Sequence, residues 1–143
     1  LECRRSRKFD VETQDVDESV TGDTPAQDVP RFLAEKKATA AMPTMGPDDV
    51  IVAADTVVIL DDEVLGKPAN RSDAIRTLQR LSGRSHKVVT GVCVASQTRK
   101  VAYDDTAIVT FRDLLQDEIE YYVDHHKPFD KAGSYGIQDW IGM

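Results

Sequence analysis

Two spacings of apolar residues alternate along the chain, one suited to strands and the other to helices. Phe9 and Val11 alternate with polar neighbours and predict a short strand. Asp15 to Pro25 is acidic and turn-rich and reads as a loop. A helix is expected from near Asp28, with Asp28 as N-cap and Pro30 tolerated in the first turn, running to about Ala41. Met42 to Asp49 (MPTMGPDD) holds two prolines and a glycine and predicts a linker. Val50 to Leu60 is long, β-branched and bounded by turn residues, the pattern of a buried strand. Asp61 and Asp62 then form a tight turn, and Glu63 to Leu65 can pair back until Gly66, Lys67 and Pro68 break the run.

Beyond that break, Ser72 is expected to cap a helix whose Ala74, Ile75, Leu78 and Leu81 fall at helical spacing. Gly83 supplies the left-handed residue that ends it. Val88 to Ala95 and Lys100 to Phe111 predict two further strands. Gln116 to Asp124 predicts a helix with Ile119, Tyr122 and Val123 inward. Lys127 to Gln138 is a glycine-containing loop. Strands alternating with helices indicate an α/β or α+β fold around a mixed sheet.

Composition narrows this. The 143 residues, 41% hydrophobic and 30% charged, suit one domain with its own core. No apolar run approaches the roughly 18 residues of a membrane span. A net charge of −7 argues against a general nucleic-acid binder, which needs a basic face, but leaves room for a small anion held by a few lysines. Residues 1–8 (LECRRSRK) have no apolar segment behind them and are not a signal peptide. Cys3 and Cys93 make no disulfide framework, which suits a reducing, cytoplasmic setting. Leu1 is not an initiator methionine, and Trp140 to Met143 is an unusually apolar end. Both features suggest a fragment, or a variant missing elements at both ends.

Asp55 is the first candidate for chemistry. An ionised carboxylate buried without partners in an apolar strand would cost several kcal/mol. It therefore faces a cleft, pairs with a cation or metal, or bonds to backbone at a strand end. Lys67 is presented from the rigid Gly66–Pro68 corner, where it can bind phosphate or remain solvated. On the first helix Leu33, Ala34, Lys37, Ala38 and Ala41 share one broad side, while Lys36 sits nearer Val29 and Phe32. Periodicity does not choose between the two lysines. The glycines of Asp130 to Gln138 permit close approach to a ligand, yet the segment matches neither a P-loop nor a dinucleotide fingerprint and otherwise reads as a surface loop. His125 and His126 project about 100° apart on a helix, which suits carbonyl capping better than one shared metal. His86 reads as structural, and Cys93 as a buried, unreactive thiol.

Seven stretches resemble the Maf family of nucleoside triphosphate pyrophosphatases, in the family's order and spacing. They are DVDES (Asp15 to Ser19), FLAEKKA (Phe32 to Ala38), VAADTVV (Val52 to Val58), VLGKP (Val64 to Pro68), RLSGRSHKVVTGV (Arg80 to Val92), VTF (Val109 to Phe111) and DKAGSYGIQDWIG (Asp130 to Gly142). The likeness is greatest to the dTTP/UTP branch. It implies an elongated α/β fold with a mixed sheet, flanking helices and two lobes around a nucleotide cleft. It also implies hydrolysis of dTTP, UTP or modified pyrimidine nucleotides to the monophosphate and pyrophosphate, with Mg²⁺ or Mn²⁺. By motif, Asp55 is the proton acceptor, Thr56 and Gln138 govern nucleotide choice, Lys37 and Lys67 meet the phosphates, and Glu18 and Asp55 meet the metal. The family's N-terminal strand with its S-x-R-R segment would lie before residue 1 or be absent, and the tail beyond W-I-G is missing, so residues 1–143 form a single shortened domain. No nucleic acid or membrane is implied as a partner, and a homodimer is one assembly open to it. The competing readings are a non-catalytic nucleotide-binding regulator of septum formation and an inactive remnant.

Overall fold

A computed structural model describes residues 9–12, 16 and 24–142. A short 3-10 turn, Ala26–Asp28, leads into α1, Val29–Ala41. A second 3-10 turn, Met42–Thr44, lies in the linker before β1, Ile51–Leu60. β2 is Glu63–Leu65, α2 Arg71–Leu81, β3 Ser85–Ala95, β4 Lys100–Thr110 and α3 Gln116–His126. Helices and strands alternate as α/β requires, but the sheet, ordered β2-β1-β3-β4, is antiparallel at all three described pairings. The expected mixed sheet is therefore not seen among the described residues. Hairpins join β1 to β2 and β3 to β4, and a hairpin can only produce antiparallel neighbours.

Three local expectations are corrected. Residues 9–12 form no strand, and Phe9 and Val11 are each 82% exposed. Two alternating apolar residues, with no strand beside them among the described residues, have no face to bury. Asp28 does not cap α1 with its side chain, because the preceding turn already gives it helical φ/ψ of −89° and −15°. A capping side chain needs an extended residue, so the carboxylate instead accepts from Arg31 at 3.2 Å. Ser72 lies inside α2, and the cap is Asn70, whose extended backbone lets its side chain accept from the Asp73 N–H at 3.0 Å. Gly83, with φ of +66°, ends α2 as anticipated. Asp61 and Asp62 take φ of 51° and 64°, the two positive values that a two-residue hairpin turn requires.

The sheet has two differently covered faces. On one, Val57 and Ile59 of β1 pack with Val29 and Leu33 of α1, and Ala34 and Ala38 meet Cys93 and Ala95 of β3. On the other, Val58 and Leu60 join Leu78, Leu81, Ile119 and Tyr122 beneath α2 and α3. That cover reaches only part of the second face. Further along β1, Val52 is 69% exposed, and Ala54 and Thr56 are exposed as well. Among the described residues no helix is long and apolar enough to cross a membrane.

Candidate active site

The candidate site forms where the α2–α3 layer ends. Residues 131–136 return across β1 there, and Gly133 makes the approach possible. Its φ is +67°, and a Cβ at this position would lie 2.8 Å from Val58 Cγ2. The Gly133 N–H donates to the Gly66 carbonyl at 3.2 Å, tying this segment to the corner that carries Lys67. The result is a cavity of about 400 Å³ whose lining includes Asp55, Thr56, Lys67, Asp130, Lys131 and Tyr135. A smaller cavity of about 240 Å³ by the β1–β2 turn, lined in part by Asp61, Asp62, His86 and Lys87, includes none of Lys37, Asp55 and Lys67.

Asp55 is held by an ion pair. Lys37 Nζ of α1 donates to Asp55 Oδ1 at 2.5 Å, with the two side chains only 24% and 15% exposed. The packing thus decides between the two lysines. Lys37 lies on the helix side that faces small residues, whereas the Lys36 ammonium sits 5.9 Å from the Phe32 ring centre. Gly91 is the register partner of Asp55 on β3. A Cβ there would fall 2.2 Å from Arg31 N and 2.3 Å from Pro30 C, so only glycine lets the start of α1 come this close to the sheet. Thr56 points to the other face, where its hydroxyl shares a 2.9 Å hydrogen bond with that of Thr90.

The opposite wall contributes charge and a buried hydroxyl. Asp130 accepts from Lys131 Nζ at 2.9 Å. That bond, with further help from Lys67, lowers its pKa below the usual carboxylate range. Tyr135 is buried and shares a 2.7 Å hydrogen bond with His86 Nε2. Burial pushes the tyrosine up to about 12 and shifts the imidazole below its ordinary value, so both are neutral at pH 7. Among the described residues, His86 Nδ1 and Ser134 Oγ are buried with no hydrogen-bond partner.

The structure therefore brings Asp55, Thr56 and Lys67 to one cavity and places Lys37 on Asp55. Gln138 is exposed on the adjoining turn and outside the lining, while its neighbour Ile137 belongs to the lining. Glu18 lies outside the described residues. The surface-loop expectation for Asp130 to Gln138 is corrected at its centre, where Gly133 to Gly136 are buried. Asp130, Lys131 and Tyr135 were not singled out one by one from the sequence. The signal available was a tyrosine and an isoleucine among glycines, more apolar area than a solvated loop needs. Cys93 is buried and its thiol is pushed up by burial. His125 Nδ1 bonds to the Tyr121 carbonyl at 2.8 Å, the capping role expected of it.

Comparison with known proteins settles the family. The profile of Maf-like proteins matches residues 2–143. The chain belongs to the Maf family. It is 47% identical over 129 residues to a protein named dTTP/UTP pyrophosphatase from Bacteroides fragilis strain YCH46, covering 90% of this chain and 67% of that relative. A relative of the same name from Phocaeicola vulgatus is 44% identical over 137 residues, covering 95% of this chain and 71% of the relative. One from Porphyromonas gingivalis strain W83 is 45% identical over 130 residues, at 90% and 65%. The chain thus spans about two thirds of the length of these Maf relatives.

Proposed function

We propose that this chain works as a dTTP/UTP pyrophosphatase in the 400 Å³ cavity, as its relatives are named. The observation that carries the reading is Asp55, which borders a cavity also lined by Lys67 and Lys131 while its carboxylate is held against Lys37 on the α1 side of the strand. Water attacks the α-phosphorus, the bond from that phosphorus to the α–β bridging oxygen breaks, and pyrophosphate leaves. Asp55 orients the water and takes its proton. Lys37 fixes the carboxylate for that task. Lys67 and Lys131 offset negative charge on the phosphate oxygens. The names of the Maf relatives favour the enzyme over a binding-only regulator.

A divalent cation belongs to this proposal. Among the described residues no cluster of three His, Cys, Asp or Glu side chains could hold one alone. The cavity lining includes Asp130 and Asp55, the latter with its carboxylate turned to Lys37. Hard oxygen donors, few in number and completed by substrate phosphates and water, suit Mg²⁺ or Mn²⁺. Asp55 and Glu18 would hold the ion, which supplies charge neutralisation at the phosphates. A cytoplasmic setting accords with Cys93 as a buried thiol.

Thr56 and Gln138 are proposed to choose the base. A hydroxyl and a neutral amide can match the O4 and N3–H edge of thymine or uracil, whereas cytosine reverses that pattern. The test is pyrophosphate release from UTP with Mg²⁺. Asp55→Asn should lower kcat by about 10² to 10⁴ with the circular dichroism spectrum unchanged. A kcat within about threefold of the parent, well short of a lost general base, would remove Asp55 from the mechanism.

A further inference from the structure

Gln138 sits at the tip of a turn whose two ends are held with unusual thoroughness. The Asp139 N–H donates to the Gly136 carbonyl at 2.9 Å, closing Gly136–Asp139 as a four-residue turn. Asp139 Oδ2 reaches back to accept from the Gly136 N–H at 3.1 Å. The same oxygen accepts from the hydroxyl of Tyr122 at 2.5 Å, and the Gly136 N–H also lies 3.3 Å from that hydroxyl oxygen. Tyr122 belongs to α3 and is fully buried, so the anchor is part of the main core. Directly after the turn, Trp140 packs edge-on to the Tyr122 ring and donates its indole N–H to His126 at 3.3 Å.

The tip contrasts with these ends. Ile137 is 73% exposed although it lines the cavity, and Gln138 is exposed beside it. A large apolar side chain and a free amide, side by side and open, offer a flat heterocycle both a surface to lie on and an edge to pair with. Fixing the backbone in advance removes the ordering cost that a loose loop would incur on binding. Gly136 fits the same scheme. A Cβ there would lie 2.8 Å from Asp139 Oδ2 and 3.1 Å from Gln138 Nε2, so the turn folds its own polar groups over a bare glycine.

We propose that Tyr122 and Asp139 are positioning residues for base recognition, holding the Gly136–Asp139 turn so that Gln138 meets the nucleobase in one fixed pose. The inference rests on the pyrimidine-selective reading above and deepens it. Burial and the Asp139 carboxylate both raise the tyrosine pKa, which keeps its hydroxyl a donor throughout the working pH range.

The test measures Kd on the full chain with Mg²⁺ for the non-hydrolysable α,β-imido analogues of UTP and CTP, and for inorganic tripolyphosphate as a base-free probe. Tyr122→Phe keeps the ring and deletes one donor. It should reduce the UTP-to-CTP preference by about three- to tenfold, the scale of one such hydrogen bond, while tripolyphosphate affinity stays within about twofold. Asp139→Asn keeps an acceptor oxygen and should fall between the parent and Asp139→Ala. If Tyr122→Phe does not fold, the Asp139 pair carries the same expectation. An unchanged preference in these variants overturns the proposal, as does a parallel loss of tripolyphosphate binding, which would mark a merely structural role. A parent with no preference, or a Gln138→Ala variant that retains it, overturns the base-reading role of Gln138 itself and this inference with it.

Discussion

The two faces of the sheet are closed by opposite means. Beneath α2 and α3 the core is built from bulk: Phe111, Tyr135 and His86 meet edge to face with ring centres 4.8 to 5.5 Å apart, among leucines and Tyr122. Beneath α1, beside a patch of Val29, Leu33, Val57 and Ile59, the closest approach is built from smallness, with Ala34, Ala38, Cys93 and Ala95 in contact and Gly91 under the helix start. The first face should suffer from losing atoms and the second from gaining them. The candidate site uses both. Bulk ends beside Tyr135 and leaves a cavity, while the close approach of α1 delivers Lys37 to Asp55.

Phe111→Ala gives the largest effect expected from this contrast, about 4 kcal/mol lost in urea denaturation, because a fully buried ring leaves a cavity. Gly91→Ala adds a single carbon against backbone and should cost about 3 kcal/mol. A loss under about 1 kcal/mol, below the usual cost of overpacking, would show that α1 can lift freely and break the contrast. Lys37→Ala leaves Asp55 half-buried without its cation and should cost about 1–2 kcal/mol. Because the residues touch, adding Asp55→Asn should cost less than the sum of the single changes.

His86 sharpens the description of the bulky face through pH. Its folded pKa lies below the ordinary 6.5 because burial disfavours the charged ring. The unfolded chain therefore takes up the proton first, and the contribution is full above about pH 6.5 and lost as pH falls through the lower folded value. Urea midpoints should fall on acidification, and His86→Gln should flatten that part of the profile. The smallest effect belongs to neither face. Arg84 bonds both oxygens of Asp61 at 2.8 and 2.7 Å, but in solvent, and Arg84→Ala should change stability by under about 0.5 kcal/mol.

Among the described residues, periodicity located the three α-helices and the three long strands; the helices, β1 and β3 each bury side chains and write them into their spacing, whereas β4 is exposed along nearly its whole length. Periodicity failed where the deciding contact is distant in sequence. Lys36 and Lys37 differ by one helical step, and only the docking of α1 beside Asp55 separates them. Asn70 and Ser72 are both good caps, and the extended backbone of Asn70 settles the choice. Tyr122 was readable as inward, but its partner Asp139 was not, since 17 residues and a buried loop lie between them. The position of Gln138 beside the cavity rather than within it depends on a turn pinned from α3, which no local spacing encodes.

β4 lies at the edge of the sheet as described, with Asp104 and Asp105 near its midpoint. A second copy aligning in antiparallel fashion along the whole strand would bring these carboxylates against their own counterparts. Strand edges invite association, and like charges facing one another discourage it. The edge thus carries a colloidal safeguard that weakens as salt rises. Concentrated stocks of this protein should keep best at low ionic strength.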